Sequence, residues 1–414
     1  DIQDCTQWDS IALIDAWEAA EATAPRLDAL ASTRQALSLD IDVHRRERLP
    51  RLAVTLQGDV GQRARPGEER ALGPGGRGDV GALIAWPLFE SERRALGQYL
   101  ESLGEEADQR ERLERSHTRL EITASYIEAH ASIEAVDHLF ATRQATRALV
   151  DLVQARVEEQ VEAPYALMVI EQRHGQLDRE LRRATARRDR ALLELSNLAG
   201  RCVSPAPLAQ TPEPMSSSVV AETHSLLKAQ HHQAAALQAR AEAIRRAGLF
   251  DVTALGVAGL YGSRVFENRV QPDYYAGLTM TWRPDWTGIR RLQSQAEIHR
   301  GRALLEEVQA TRQDLERELD ALVLDFDELQ ALLTMIEAHA TAARERQRVA
   351  QHRFEAGVET LTQLIEAHQA LSELLATRLD HQAAMHILGL RVAATTDTWE
   401  RLPGWLGQPG DGLP

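Results

Sequence analysis

The sequence predicts a mainly helical fold laid down twice in one chain, each copy broken once by a pair of β-strands. Three observations lead there. The first is doubling: Pro87, Phe89 and Arg93 lie 197 residues before Pro284, Trp286 and Arg290, while Leu167, Ile170 and Leu177 answer Leu361, Leu364 and Leu371 at a spacing of 194. A unit of that length is no solenoid repeat. The second is a change of period. Apolar residues recur at helical spacing along most of the chain but alternate at two corresponding places in each copy. The third is composition: 43% hydrophobic, 26% charged and only 5% aromatic residues, a mixture that favours long helices and coiled coils.

The elements follow in order. Residues 8 to 48 read as helix, with Asp9 or Ser10 as the N-cap. Pro25 marks a break and the start of a second helix. From Arg51 to Val60, Leu52, Val54, Leu56 and Val60 alternate with Ala53, Thr55, Gln57 and Asp59, a strand with one apolar face. Gly61 to Gly78 reads as a loop, and Asp79 to Leu88 as the returning strand. From Glu90 to about Ala163 the pattern is helical, on the order of 100 Å at ~1.5 Å per residue. Pro164 interrupts it, and helix resumes to Gly200. The first copy therefore spans 1–200, with its hairpin at 51–88 and a long helical hairpin at 90–200. Residues 201–218, with four prolines and four serines, read as a linker.

The second copy, 219–398, repeats this plan. Val219 to Ala247 is helical. Phe250 to Leu260 is a strand, Tyr261 to Asp273 a loop, and Tyr274 to Trp282 the fourth strand, so this hairpin spans 250–284. Tyr274, Ala276, Leu278, Met280 and Trp282 share one face of that strand. Its helical hairpin, 287–396, turns between Phe354 and Val358. The tail, 399–414, is rich in Gly and Pro and reads as loose.

A net charge of −15 argues against nucleic-acid binding, which needs clustered basic residues. It suits a solvated surface or a pore that attracts cations. No stretch reaches the ~18 apolar residues of a membrane-spanning helix, but barrel strands carry a much weaker signal. Asp1-Ile2-Gln3-Asp4 reads as a mature or trimmed start. Cys5 and Cys202 suit no metal site. Either they pair in an oxidising compartment, closing a loop that chain entropy would reward by roughly 5 kcal/mol, or they are two free thiols.

No catalytic constellation stands out, and no enzyme activity, cofactor or metal is expected. His231-His232 are adjacent and point apart on a helix. Glu105-Glu106 and Glu158-Glu159 read as solvated helix faces. Gly73 to Gly78 lacks the Lys-Ser/Thr of a phosphate loop and reads as an external loop.

Four strands cannot close a barrel alone, and open edges leave backbone groups unpaired. A hairpin with one apolar face and aromatics near its ends is what a transmembrane barrel uses. Tyr274 and Trp282 bracket the fourth strand, and Trp86 and Trp286 lie at the helix side of the hairpins, where an interfacial belt belongs. Several chains giving four strands each would close the ring; three would give twelve.

These segments resemble the outer membrane efflux protein family, the TolC-like outer membrane factors, over residues 8 to 398. Leu49-Pro50-Arg51-Leu52 is similar to the family's approach to its first strand. Trp86-Pro87-Leu88-Phe89 with Arg93-Arg94, and Trp282-Arg283-Pro284-Asp285-Trp286 with Gly288 and Arg290-Arg291, resemble its strand-to-helix exits. Ala124-Ser125-Tyr126 lies where the family has an Ala-Tyr pair. Arg353-Phe354-Glu355-Ala356-Gly357, then Leu364-Ile365-Glu366-Ala367 and Leu371, match its helix-turn pattern, and Leu195, Leu198 and Gly200 resemble the end of a copy. At the first-copy turn Ala163-Pro164 takes the place of the usual Gly and its successor. Val169 and Gln363 stand where Asp is usual.

The resemblance implies a homotrimer in the outer membrane of a Gram-negative bacterium. A twelve-stranded β-barrel, four strands per chain, would continue as a twelve-helix α-barrel through the periplasm. It implies the exit duct of a tripartite efflux pump or type I secretion system. Partners would be outer-membrane lipid, a periplasmic adaptor, and an inner-membrane transporter of the ABC or RND kind. Function would then reside at the helical turns. Glu359, Gln363 and Glu366, spaced i, i+4, i+7, would form the gate, with Arg173 as an ion-pair partner. Ala163, Pro164, Gly357 and Val358 would meet the adaptor. The competing readings are a periplasmic or cytoplasmic coiled-coil adaptor or scaffold.

Overall fold

A computed structural model of the chain describes residues 8–61, 75–208, 224–263 and 269–405. Two compact units emerge, one formed by 1–29, 111–225 and 310–414, the other by 30–110 and 226–309. The helices at 25–46, 93–158 and 289–355 each contribute residues to both units.

The second unit holds the sheet. Strands β2 (Arg51–Gly61), β3 (Gly75–Glu90), β5 (Phe250–Ser263) and β6 (Arg269–Trp282) pair antiparallel in the order β2-β3-β5-β6. The two hairpins, one from each copy, thus join through β3 and β5 into a single sheet whose outer strands are β2 and β6. A bulge between Pro87 and Phe89 shifts the β3–β5 register. All four strands outrun the sequence reading. Gly75 to Gly78 are strand, Gly78 pairing Gly58 and Gly75 pairing Gly61. Ser263 pairs Arg269, well inside the segment read as a loop. Strong cross-strand pairing extends a sheet into Gly-rich sequence that lacks local strand propensity. Residues 62–74 and 264–268 lie outside the described residues.

The helices meet these strands at corners held by the arginines that the doubling singled out. Arg93 donates to the Glu47 carbonyl at the end of α2 (Pro25–Arg46) and pairs with Glu90 at 2.8 Å. Arg290 donates to the carbonyls of Ala247, just past α5 (Ser225–Arg246), and of Arg283. Each guanidinium satisfies a carbonyl left over at a helix end, where positive charge also suits the helix dipole.

The first unit packs around a short two-stranded parallel sheet. Here β1 (Asp9–Ile11) pairs with β4 (Val203–Pro205). Residues 9–11 are therefore strand, not the start of a helix capped by Asp9 or Ser10. Helix α1 (Leu13–Thr23) begins after Ala12. Likewise 201–208, read as linker, opens with β4 and buries Val203 and Leu208. Tyr126 of α3 (Arg93–Glu158), fully buried, holds both strands' ends: its hydroxyl lies 3.0 Å from the Ile11 carbonyl and 3.1 Å from that of Ala206. Trp17 stacks edge-on against Trp399 at 6.2 Å and donates to Thr123 at 2.8 Å. Trp399 and Leu402 are buried, so the first part of the tail is a 3₁₀ turn and a short helical turn docked on the core rather than loose chain. Cys202 is disulfide-bonded; Cys5 lies outside the described residues.

The copies align more simply than the leucines suggest. Helices α4 (Pro164–Ala199) and α7 (Leu361–Thr396) are both 36 residues long and start 197 residues apart. The 194 spacing is a three-residue slip. Positions i and i+3 share a helix face, so an apolar stripe matches itself in either register. Both helices also end on a left-handed residue, Gly200 at φ 68° and Asp397 at φ 55°. Asp397 tolerates this while its carboxylate accepts from Ser225 N and Oγ at 3.2 and 2.7 Å, capping α5.

Glycine is required at the first of these ends. A Cβ on Gly200 would lie 2.9 Å from Thr23 Cγ2, whereas one on Gly357, also left-handed at φ 74°, would meet nothing within 4 Å. Gly357→Ala is expected to cost about 1–2 kcal/mol, from the backbone alone. Gly200→Ala should cost measurably more. Thermal unfolding of the two variants, followed by circular dichroism, checks the order.

Candidate functional site

The two turns closing the helical hairpins are built alike. Helix α3 ends at Glu158 and α6 (Ile289–Glu355) at Glu355. Beyond them Gln160 and Gly357 take left-handed conformations, at φ 61° and 74°. In each turn two successive N–H groups donate to one carbonyl: Val161 and Glu162 to Arg156 at 2.9 and 3.2 Å, Val358 and Glu359 to Arg353 at 2.9 and 3.3 Å. These bonds satisfy carbonyls that a helix end leaves over. The counterpart of Gly357 is therefore Gln160, not Ala163-Pro164. Ala163 is the N-cap of α4 and Pro164 its first residue, a start signal rather than a turn signal.

Four helix ends bury a small core under the turns: Leu149, Val150 and Val153 of α3, Ile170 of α4, Ala350 and Phe354 of α6, and Leu361, Leu364 and Ala367 of α7. Phe354 and Leu364 are fully buried. Arg156 crosses between the copies. Its guanidinium lies 4.3 Å from the Phe354 ring centroid, and Nη2 donates to the Glu355 carbonyl at 2.8 Å.

The four gate candidates separate. Thr360 caps α7 and shares a capping box with Gln363, whose Oε1 accepts from Thr360 N at 3.1 Å. Gln363 is thus engaged in starting the helix. Glu359 precedes the cap, so the i, i+4, i+7 helix face does not include it. It is half-buried, one carboxylate oxygen lying buried without a hydrogen-bond donor among the described residues. Glu366 is exposed on α7. Arg173 donates to Gln176 of its own helix at 3.3 Å.

The adaptor candidates Ala163, Pro164, Gly357 and Val358 are all exposed. Val161 in the turn, and Tyr165 and Met168 on α4, extend that exposed apolar surface; they are missed by motif reading, but the i, i+3 spacing of Tyr165 and Met168 is visible. In the sheet, Trp86, Tyr274 and Trp282 are exposed, as is Trp286 just beyond it. Strand β6 runs five residues past Tyr274, to Arg269, so Tyr274 does not mark the strand's end. Of the pairs set aside as solvated, His232 Nδ1 meets Glu105 Oε2 at 2.8 Å, and Glu106 is buried beside Arg110.

Burial lowers three histidines of the helical body, His130, His138 and His368, from the ordinary value of 6.5. His130 Nε2 accepts from Leu208 N at 3.0 Å, which requires the neutral ring. A folded value below the unfolded one gives stability that is full above 6.5 and declines as the unfolded chain takes up protons first. Glu106, buried, and Glu134, half-buried, raised by desolvation, act oppositely. The unfolding temperature is expected to fall from about pH 7.5 to about pH 5.5, with His130→Gln flattening the decline. Calorimetry at the two values checks this.

Residues 216–393 match the family model described as outer membrane efflux protein. No curated protein matches the chain in sequence. Solved structures match its fold over both copies. The outer membrane protein VceC of Vibrio cholerae is similar with a TM-score of 0.77 at 15% identity, covering 93% of this chain and 96% of its own. The open state of the Neisseria gonorrhoeae channel MtrE gives 0.74 at 15%, covering 96% and 89%. The outer-membrane channel OprN gives 0.76 at 14%, covering 97% and 94%. By fold the chain is similar to these outer-membrane channels over nearly its whole length.

Proposed function

We propose that the protein is the exit duct of a tripartite efflux pump or type I secretion system. It would be a homotrimer whose three sheets close a twelve-stranded barrel and whose helical hairpins form a twelve-helix periplasmic tunnel. The supporting observation is the sheet. Among the described residues its outer strands, β2 and β6, have no second neighbour. One of its faces carries Leu52, Val54, Leu56, Ile84, Leu278 and Met280, all exposed, Leu56 at 82%. Water would penalise both features; lipid and ring closure remove both. Among the described residues no helix is long and apolar enough to cross a membrane; in this reading the strands span it. Tyr274 to Trp282 along β6 is ~26 Å at ~3.3 Å per residue, or about 20 Å of depth when tilted. That sets Tyr274 at one interfacial belt and Trp86, Trp282 and Trp286 at the other.

The channel is passive and gated at the turns. Glu366 supplies one carboxylate per chain. Glu359 and Glu162, its counterpart 197 residues earlier, supply two more. Arg173 and Gln363 position the helices around them. Ala163, Pro164, Gly357 and Val358, with the apolar stripe on α4, form the surface for a periplasmic adaptor, which links the duct to an inner-membrane ABC or RND transporter.

Purified in detergent, the protein should run as an SDS-resistant trimer and conduct with cation preference in planar bilayers. Glu359→Gln with Glu366→Gln should lower that preference about twofold or more, since rings of carboxylates concentrate cations. Unchanged selectivity removes these residues from the pore; a water-soluble monomer ends the duct reading.

A further inference from the structure

The two turns carry one pattern, Gln-x-Arg-x-Glu: Gln154, Arg156 and Glu158 in the first copy, Gln351, Arg353 and Glu355 in the second, each 197 residues from its counterpart. Their internal contacts repeat. Gln154 donates to Glu158 at 3.1 Å and Gln351 to Glu355 at 3.2 Å. The outward contact occurs once. Arg156 reaches from the first copy to the Glu355 carbonyl and the Phe354 ring of the second. Its counterpart Arg353 is exposed, and among the described residues its side chain meets no partner within the chain. Glu158, the counterpart of Glu355, is exposed as well.

A contact between non-identical patches on two equivalent units leaves one donor and one acceptor unused, and further units consume them until the ring closes. We propose that Arg353 of one protomer docks on the first-copy turn of the next, its guanidinium donating to the Glu158 carbonyl and lying against Val157, which stands where Phe354 does. This rests on the homotrimer proposed above; the partner is a second copy of this chain. Exposed Glu158 and Glu159 beside that carbonyl favour a cation there. Val157 offers no ring face, so this joint lacks the cation–π contact of the one within the chain. The turns therefore part first between protomers, while Arg156 keeps each chain's own pair together.

The test uses full-length protein in detergent carrying Arg353→Cys with Glu158→Cys. A bismaleimide spacer of about 8–10 Å is suitable, because an arginine's reach exceeds the Cβ separation of a disulfide. Denatured samples should show covalent dimers and trimers for the double variant and monomers for each single variant. Light scattering of the untreated double variant reports its assembly separately. A trimer that yields only monomers after treatment overturns the Arg353 contact and leaves the duct reading standing. A particle that is not a trimer overturns both. Arg353→Ala, with helical content unchanged, should raise mean conductance in planar bilayers, whereas Arg156→Lys should raise it less; unchanged conductance of Arg353→Ala also counts against the joint.

Discussion

Leu278→Arg is expected to cost roughly 2–4 kcal/mol and to abolish assembly in the outer membrane, because an arginine near the bilayer midplane loses its hydration. Leu278 pairs with Ala254 in the middle of β6, between Tyr274 and Trp282, and is 72% exposed. Its surroundings make the experiment decisive. At an exposed position in a water-soluble protein such a change usually stays within about 0.5 kcal/mol. The same substitution therefore has two very different costs, depending only on what covers that face. Thr279→Arg is the control, since the next residue points to the opposite face of the sheet and, in a closed barrel, into a wet lumen. Trimer yield in outer-membrane fractions and urea unfolding in lipid read both variants. Equal behaviour of the two would remove lipid from the Leu278 face and, with it, the barrel.

The alternation that exposes Leu278 is what made the strands legible. Leu52, Val54 and Leu56, or Leu278 and Met280, announce a two-sided sheet because side-chain direction follows residue parity alone. Long helices were legible for a similar reason, their apolar stripe being local. Long-range pairing was not. Strand β1 is three residues long, and its partner Val203–Pro205 is nearly half the chain away. Nothing in Asp9–Ile11 distinguishes a strand from a capped helix start. Tyr126 shows the same limit: a motif marks it, but only packing reveals that its hydroxyl serves the carbonyls of Ile11 and Ala206. At the turns, the visible signals misled in a physically clear way. Pro164 is conspicuous, yet it starts α4. The left-handed residue is Gln160, whose type gives no hint of it. Glu359 was placed on a helix by spacing, but Thr360, with its capping box, starts that helix one residue later.

Phe354→Ala is expected to cost about 3–5 kcal/mol, the range for emptying a buried aromatic site. The ring is fully buried among Leu149, Val153, Ile170 and Leu364. It also lies under the Arg156 guanidinium, but that contact accounts for roughly 1 kcal/mol and cannot dominate. Phe354→Leu separates the two terms: it keeps most of the buried apolar volume and loses the ring face, so it should cost about 1–2 kcal/mol. Because long helices open locally, a single unfolding temperature would understate the effect. Hydrogen exchange reads it directly. At 1.4 kcal/mol per tenfold, amides around Leu361 and Leu364 should exchange about 100-fold to 4,000-fold faster in Phe354→Ala. Those around Tyr126 and Trp17 should keep their protection, since they belong to a separate core. Loosened turns should also raise conductance in planar bilayers, linking this ring to the gate. Protection unchanged near Leu364 would show that the turns are held by their backbone bonds to the Arg156 and Arg353 carbonyls rather than by the core beneath them.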